Sequence, residues 1–191
     1  GYGGFPASAC VSVNEVIVHG IPSKSKKLRE GDIVSVDAGA IYQGWYSDMA
    51  RTYAVGEISP EAAKLVRVTE ESFFEGLKYC VEGNYLSDVS HAIQVHLESN
   101  GFGVIRDYVG HGLGREMHEQ PPVPNYGRPG RGPKLKKGMV LAIEPMVSAG
   151  SYAVKVLPDE WTAVTGDGSL AAHYENTVVI TDAEPLVITL L

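Results

Sequence analysis

Residues 134–146 have the sequence KLKKGMVLAIEPM, and a similar pattern, KLREGDIVSVDAG, occurs at 27–39. The two segments align without gaps, so that Gly31 matches Gly138 and Asp37 matches Glu144. Each has a basic lead-in, a glycine turn and an apolar strand that ends on an acid. The repeat favours a duplicated half-domain whose halves bring their acids to one centre. Two unrelated strands that are both entered through Lys-Gly turns would, however, look alike.

The acid at the end of the second segment needs a physical reason. Five of the six residues from Met139 to Glu144 are apolar and predict a buried strand, and Pro145 prevents an easy helical continuation. A buried carboxylate is costly unless it is paired, protonated or bound to a metal ion. The rest of the chain is therefore expected to supply a partner for Glu144.

A second acid follows from the predicted pairing of the first segment. This segment begins a hairpin that is closed by a tight YQGW connection. If the turn is 42–43, Asp37 lies directly opposite Asp48, and if the turn is 43–44, the pair is diagonal on the same face. In both cases the carboxylates lie about 5–8 Å apart, and like charges at that distance need a cation between them.

One more acid and a histidine complete the candidate site. The strand AAHYENTVVI carries Glu175, and VGHGLGREMH places His111 between two glycines, which allow close approach of a ligand, with His118 further along. Four carboxylates and one neutral imidazole carry a charge of about −4, which two divalent cations balance, as in a two-metal hydrolytic centre. This oxygen-rich set suits Mn, Fe or Co at least as well as Zn.

The predicted elements run in the order strands, two helices, strands, which indicates an α+β fold. A length of 191 residues suits one domain over 1–191. In chain order the predictions are a strand at 10–18, a hairpin formed by 32–41 and 45–55, a helix that begins at Ser59-Pro60 and ends at Gly83, a helix from near Ser87 to Asn100-Gly101, irregular surface at 119–134 and mainly strand from Gly138 onward.

Composition excludes several classes of function. The formal net charge of −7 argues against a nucleic-acid or acidic-membrane surface, and KSKKLR at 24–29 is interpreted as a solvated turn. Cys10 and Cys80 provide no disulfide framework and suit a reducing, cytoplasmic compartment. No apolar run reaches the roughly 20 residues that span a membrane, and no signal peptide is visible. The chain begins at Gly1 without an initiator methionine, as a processed form or a fragment would.

The motifs VHG, SVDAGAIYQGWYSD, GHGLGREMHE, AIEPM and HYENT together resemble methionine aminopeptidase of type I, in the M24 family. The resemblance implies the pita-bread fold, in which two pseudo-twofold-related halves surround a curved, mainly antiparallel sheet. It also implies metal-dependent removal of the N-terminal methionine from nascent proteins and peptides, with a small second residue preferred. Family members usually have several dozen residues before the position that matches Gly1. The short segment between His118 and Glu144 favours type I over type II.

The resemblance assigns roles by position. The implied ligands of two divalent ions are Asp37, Asp48, His111, Glu144 and Glu175, of which Asp48 and Glu175 would bridge. The implied catalytic groups are His118 at the substrate carbonyl or its tetrahedral intermediate, His19 near the scissile amide, and Glu144 as a proton shuttle. The implied methionine pocket consists of Tyr2, Phe5, Cys10, Met117 and Trp161. A sodium or potassium ion is implied at carbonyls near Asn14, Val16 and Ala171.

The expected partner is a peptide or nascent chain with a free N-terminal methionine, with contact to the ribosome a further expectation. A monomer is expected, without nucleic acid or membrane. Two alternatives remain open: a proline dipeptidase of the same fold, and an inactive pita-bread binding module, which would have lost ligands. His173 shares strand parity with Glu175, and the sequence leaves open whether it lines the site. His91 and His96 are assigned structural or solvent-facing roles.

Overall fold

The fold is built around an eight-stranded sheet, as seen in a computed structural model that describes residues 1–190. Leu191, the last residue of the predicted domain, lies outside the described residues. The sheet has the strand order β1-β3-β4-β13-β8-β6-β7, with β14 beside β13, and every pairing is antiparallel. Two three-stranded sheets, β10-β11-β2 and β12-β9-β5, complete the architecture. The α+β fold class is confirmed.

The strands are short apart from the first hairpin. Their bounds are β1 Cys10–Val13, β2 Val16–Val18, β3 Ile33–Tyr42, β4 Trp45–Ala54, β5 Gly103–Val104, β6 Gly110–Gly112, β7 Glu119–Val123, β8 Val140–Ile143, β9 Met146–Ser148, β10 Val154–Val156, β11 Ala163–Thr165, β12 Ala171–His173, β13 Glu175–Val179 and β14 Leu186–Val187. A 3₁₀ turn at Tyr2–Gly4 precedes them.

Two helices, α1 (Pro60–Leu77) and α2 (Leu86–Ser99), pack against each other and against the small sheet β12-β9-β5, with further contacts to β4 and β7. The N-terminus of α1 is capped as predicted, since the Ala62 N–H donates to Ser59 Oγ at 3.1 Å. The buried face of α1 contributes Leu65, Val68 and Phe73 to the main core. Neither helix in residues 1–190 is long and apolar enough to cross a bilayer.

The hairpin adopts the later of the two predicted turns. Tyr42 pairs with Trp45, so the turn is Gln43-Gly44, and both turn residues have positive φ. This backbone conformation suits a two-residue hairpin, because it matches the twist of the flanking strands. Asp37 therefore pairs with Ala50, and its relation to Asp48 is diagonal.

The single strand predicted at 10–18 is wrong, because the chain turns within it. Asn14 has a left-handed φ of 55°, and its side chain accepts from the Ile33 N–H at 3.0 Å and donates to Asp32 at 2.8 Å. These contacts hold a tight turn that divides the segment. As a result β1 joins the large sheet and β2 joins a small one.

Two further boundaries differ from the predictions. Helix α1 ends at Leu77, well before Gly83, because Val81 forms a bridge with Thr181 and draws the chain back to the strands. Part of 119–134 is also a strand: Glu119–Val123 forms β7 and pairs with β6. Proline is tolerated there because β7 is an edge strand with only one neighbour.

The repeat seen in the sequence is a structural repeat. Gly31 and Gly138 have φ values of 95° and 87°, and each donates its N–H to the carbonyl where the partner strand ends, Val55 at 2.9 Å and Ile180 at 2.8 Å. Val55 and Ile180 return equivalent hydrogen bonds to the residues after the glycines, at 2.9 and 2.8 Å. The same turn therefore begins a strand pair in each half, β3-β4 and β8-β13.

Candidate metal centre and substrate pocket

One row of paired residues crosses four strands and defines the centre. Cys10 pairs with Asp37, Asp37 with Ala50, and Ala50 with Glu175. Directly paired residues share a face of the sheet, so these side chains point the same way. Asp37 and Glu175 lie two strand spacings apart, about 10 Å between backbones. The small Ala50 between them leaves space for other groups.

Asp48 lies two residues before Ala50 on β4, so its side chain points to the same face and into that space. Its backbone is fixed by Thr177, whose Oγ1 accepts from the Asp48 N–H and donates to the Asp48 carbonyl, both at 2.9 Å. Possible ligand atoms of Asp48, His111 and Glu175 all lie within 4.8 Å of one another. Acids from distant parts of the chain therefore meet at one point.

Glu144 and His111 complete the cluster from the second half. Asn176 pairs with Ile143, and continuing this register places Glu175 beside Glu144. His111 Nε2 lies 3.6 Å from Glu144 Oε1 and 4.0 Å from Asp48 Oδ2. The structure thus brings together all five predicted ligands. The sequence left open whether Glu144 and Glu175 face the same side, and the register of β8 and β13 places them side by side.

The acids oppose each other's ionisation. Burial and the charges of Asp37 and Glu144 raise the pKa of Asp48 to about 8. Burial, followed by neighbouring carboxylates, raises the pKa values of Glu144 and Glu175 well above their usual range. Burial also raises the pKa of Asp37. The folded protein holds these groups close together at an electrostatic cost that a multivalent cation would remove.

The donor set fits divalent metal ions. His111 Nδ1 lies 2.9 Å from the Gly112 carbonyl, so this nitrogen carries the proton and Nε2 presents its lone pair to the acids. Burial lowers the pKa of His111 to about 4, which keeps the imidazole neutral and available as a ligand. Four acids and one neutral imidazole, mutually close and largely buried, match hard or borderline cations in charge and ligand type.

The two other histidines of the prediction flank this cluster. The His118 ring lies 4.2 Å from that of His111 and 5.2 Å from that of Tyr2. His19 packs edge-on against Tyr108 at 5.3 Å and has an unusual left-handed φ of 58°. Burial is the main cause that lowers the pKa of both histidines, so both are neutral at physiological pH.

A cavity of about 630 Å³ lies over the cluster, and every predicted pocket residue lines it. Phe5 is buried and meets Trp161 edge to face at 5.3 Å. Burial, then the charges of Asp37 and Asp48, raises the pKa of Cys10 to about 12, so its thiol stays protonated at neutral pH. These observations agree with Cys10 as part of the pocket wall.

Several lining residues were not predicted. On the hairpin, Gly39, Ile41 and Tyr46 lie on the same face as Asp37 and Asp48. Period-two alternation was the signal that could have found them. The ring contact between Tyr108 and His19 could not be predicted in this way, because it joins two loops that are far apart in sequence.

The remaining predictions concern groups away from the centre. His96 of α2 pairs with Glu71 of α1 at 3.3 Å, and His91 contacts the Gly127 carbonyl at 3.0 Å, and neither histidine lines the cavity. Residues 24–29 are all exposed, as a solvated turn would be. Cys10 and Cys80 are free thiols.

Comparison with known proteins agrees with this geometry. The model of metallopeptidase family M24 matches residues 1–182. The chain is 66% identical over 190 residues to a methionine aminopeptidase of Clostridium acetobutylicum, and the match covers 100% of this chain and 76% of that relative.

Solved structures support the fold assignment. A methionine aminopeptidase structure from Thermotoga maritima superposes with a TM-score of 0.97 at 58% identity, covering 99% of this chain and 76% of that one. A prolidase from Pyrococcus horikoshii superposes at 0.76 with 24% identity, covering 96% and 48%, and shares the fold alone. The chain has the pita-bread fold and belongs to metallopeptidase family M24 and, within it, to the methionine aminopeptidases.

Proposed function

We propose that this protein removes the N-terminal methionine from peptides and nascent proteins, with a preference for a small second residue. The observation that carries the proposal is the joining of two features in one cavity: a buried acid–histidine cluster and an apolar wall. The cluster suits metal-assisted hydrolysis. The wall selects the side chain that is presented to it.

The apolar wall is suited to an unbranched thioether. Phe5 and Trp161 present ring faces and edges, and Met117 and Cys10 add soft sulfur atoms nearby. A methionine sulfur gains from contact with aromatic edges, and its flexible chain fills irregular space. A proline ring would use these contacts less well, and this difference favours methionine over the proline dipeptidase alternative.

The residues that would hold two divalent ions are Asp37, Asp48, His111, Glu144 and Glu175. When bound, such ions polarise the scissile carbonyl and lower the pKa of water. Glu144 would accept and return the proton at its carboxylate, since it lines the cavity beside His111. His118, neutral and beside His111, would donate to the oxyanion that develops on the carbonyl.

His19 would orient the peptide or assist the departing amine. It borders the same cavity, and Tyr108 packs against the edge of its ring. A neutral imidazole can donate at one nitrogen and accept at the other, which suits a peptide backbone. The expected consequence is that loss of His19 weakens both binding and turnover.

The proposal is tested with chelated protein to which single metals are returned. Manganese, iron, cobalt and zinc are supplied separately, and release of the N-terminal residue is measured from a Met-Ala peptide, a Met-Leu peptide and, as the rival substrate, an Ala-Pro dipeptide. The proposal expects metal-dependent cleavage of Met-Ala, weaker cleavage of Met-Leu and little of Ala-Pro. Preferential cleavage of Ala-Pro would establish the dipeptidase, and absence of any metal binding would establish the inactive module.

Finer aspects belong to the same proposal. A sodium or potassium ion would bind carbonyls near Asn14, Val16 and Ala171. The backbones of Asn14 and Ala171 are adjacent, because the Ala171 N–H donates to the Asn14 carbonyl at 2.8 Å. We also propose a monomer that works in the cytoplasm on chains that emerge from the ribosome. Sedimentation of the protein alone tests the monomer, and sedimentation with ribosomes tests the contact with the ribosome.

A further inference from the structure

His173 occupies the position in the second half that Asp48 occupies in the first. Thr52 lies four residues after Asp48, and Thr177 lies four residues after His173. Thr177 Oγ1 bonds the N–H and carbonyl of Asp48, and Thr52 Oγ1 bonds the N–H and carbonyl of His173, all at 2.9 Å. Each threonine therefore fixes the backbone of its counterpart in the other half. Since Asp48 points into the centre, the repeat directs His173 there as well.

The His173 side chain is buried and incompletely satisfied. Its exposed fraction is 2%, and Nε2 is a fully buried nitrogen without a hydrogen-bond partner. A buried polar atom left in this way is energetically unfavourable. The nearest acid oxygen is Glu144 Oε2, 3.5 Å away and slightly beyond the usual N–H···O range. A small rotation of the carboxylate would close that distance.

The two oxygens of Glu144 face two different imidazoles. Oε1 lies 3.6 Å from His111 Nε2, and Oε2 lies 3.5 Å from His173 Nε2. Because His111 carries its proton on Nδ1, its Nε2 and Glu144 Oε1 both present lone pairs and need a cation between them. If His173 Nε2 also presented a lone pair, Oε2 would face a second electron-rich atom. A proton on His173 Nε2 removes that conflict.

We propose that His173 is a positioning residue, whose Nε2–H donates to Glu144 Oε2 and thereby turns Oε1 toward His111 and the acids of the first half. Hydrogen bonds of this kind commonly orient carboxylates that ligate metals. The role rests on the proposed function only in that Glu144 serves the metal centre. It differs from a ligand role, in which Nε2 would carry a lone pair.

The test uses two replacements with opposite expectations. His173→Gln keeps a side-chain N–H donor of similar reach, and His173→Leu keeps volume without a donor. Manganese affinity of the chelated proteins is measured by calorimetry, which does not depend on peptidase activity. We expect His173→Leu to weaken the affinity by about 10–100-fold, the range for loss of groups that orient ligands, and His173→Gln to restore most of it. His96→Leu, on α2 and outside the cavity, is the matched control.

The outcomes separate the possibilities. Equal weakening in the Gln and Leu variants would mean that an imidazole lone pair binds metal, and would overturn the proposal, as would unchanged affinity in His173→Leu. Thermal melting of the chelated variants checks folding. If His173→Leu does not fold, His173→Asn, whose amide is too short to reach Oε2, takes its place with the same expectation.

A crystal structure with manganese gives a second readout. A His173 Nε2 to Glu144 Oε2 distance of about 3 Å supports the proposal, and Nε2 within about 2.2 Å of the ion overturns it. Failure of the proposed function would look different, because the wild-type protein would then bind manganese without releasing methionine.

Discussion

Asp48 lies directly opposite Gly39 in the β3-β4 hairpin, so that Asp48 and Asp37 are diagonal neighbours on one face of the sheet. The absence of a side chain at Gly39 matters, because a Cβ there would lie 2.5 Å from Met117 Cε and 3.5 Å from Asp48 Oδ1. Gly39 therefore lets a wall residue of the pocket approach the acid cluster. The hairpin register links the metal centre to the pocket.

Gly39→Ala should displace Met117 and weaken substrate binding. We expect KM for a Met-Ala peptide to rise about tenfold, equivalent to about 1.4 kcal/mol, with a smaller change in kcat. Steady-state kinetics with the metal-loaded enzyme measure this. In the Met117→Ala background, where the clash is absent, adding Gly39→Ala should raise KM by clearly less than tenfold. An unchanged KM in the single variant would contradict the assignment of Met117 to the pocket wall.

Without metal, stability should fall as the pH rises from about 7 to 8.5. The folded-state pKa of Asp48 is raised to about 8, and those of Glu144 and Glu175 are raised well above their usual range. The unfolded chain has already released these protons, since ordinary carboxyl pKa values are about 4. The folded state is therefore favoured at low pH and loses that advantage as pH rises through the folded pKa values. Ordinary imidazoles have a pKa of about 6.5, so histidine deprotonation in the unfolded chain is nearly complete over most of this pH range.

Urea unfolding of chelated protein at both pH values measures this dependence. Manganese at about 100 times its Kd should add about 2.7 kcal/mol at the higher pH, because ions relieve the repulsion. Asp48→Asn should reduce the pH dependence of the chelated protein. Chelated wild type that is more stable at the higher pH would show that these acids are not held together at a cost.

His118→Ala should lower turnover without loss of metal. The His118 ring adjoins that of His111, but His118 is not one of the five proposed ligands. Removal of an oxyanion donor costs about 10²–10³ in kcat. The measurement pairs kcat with metal content by atomic emission. Normal turnover would refute the catalytic role, and loss of metal would assign His118 to the centre itself.

Ser59→Ala should destabilise the fold and leave catalysis unchanged. Ser59 Oγ accepts from the Ala62 N–H at 3.1 Å, and loss of such a cap costs about 1 kcal/mol. The free energy of urea unfolding measures the effect, and Ser59→Asp, which retains a cap acceptor, is the matched control. A change in kcat/KM would mean that α1 is coupled to the site.

Much of the candidate site could be predicted from local sequence signals. The four acids and one histidine of the centre stand out because polar groups end or interrupt apolar strands, as in GMVLAIEP. The hairpin confined Asp37 and Asp48 to one face, because side chains alternate with a period of two whichever turn forms. The cap of α1 followed from Ser59 and Pro60 in the same local way.

Other features depended on contacts that no local pattern contains. The end of α1 at Leu77 is set by the bridge between Val81 and Thr181. The break after Val13 is set by the Asn14 side chain, which donates to Asp32 and accepts from the Ile33 N–H. In both cases tertiary pairing overrode a local signal.

By itself the sequence determined which residues are candidates for the chemistry and that two halves repeat one plan, because strand period, turn glycines and acids at the ends of apolar strands are local properties. Only the tertiary structure decided how the halves meet. The pairing of Glu175 with Ala50 and the cross-bonds from Thr52 and Thr177 join strands that are far apart in sequence. These long-range contacts bring the carboxylates of the two halves together and turn His173 toward Glu144, since register between distant strands is fixed by packing and hydrogen bonding across the whole sheet.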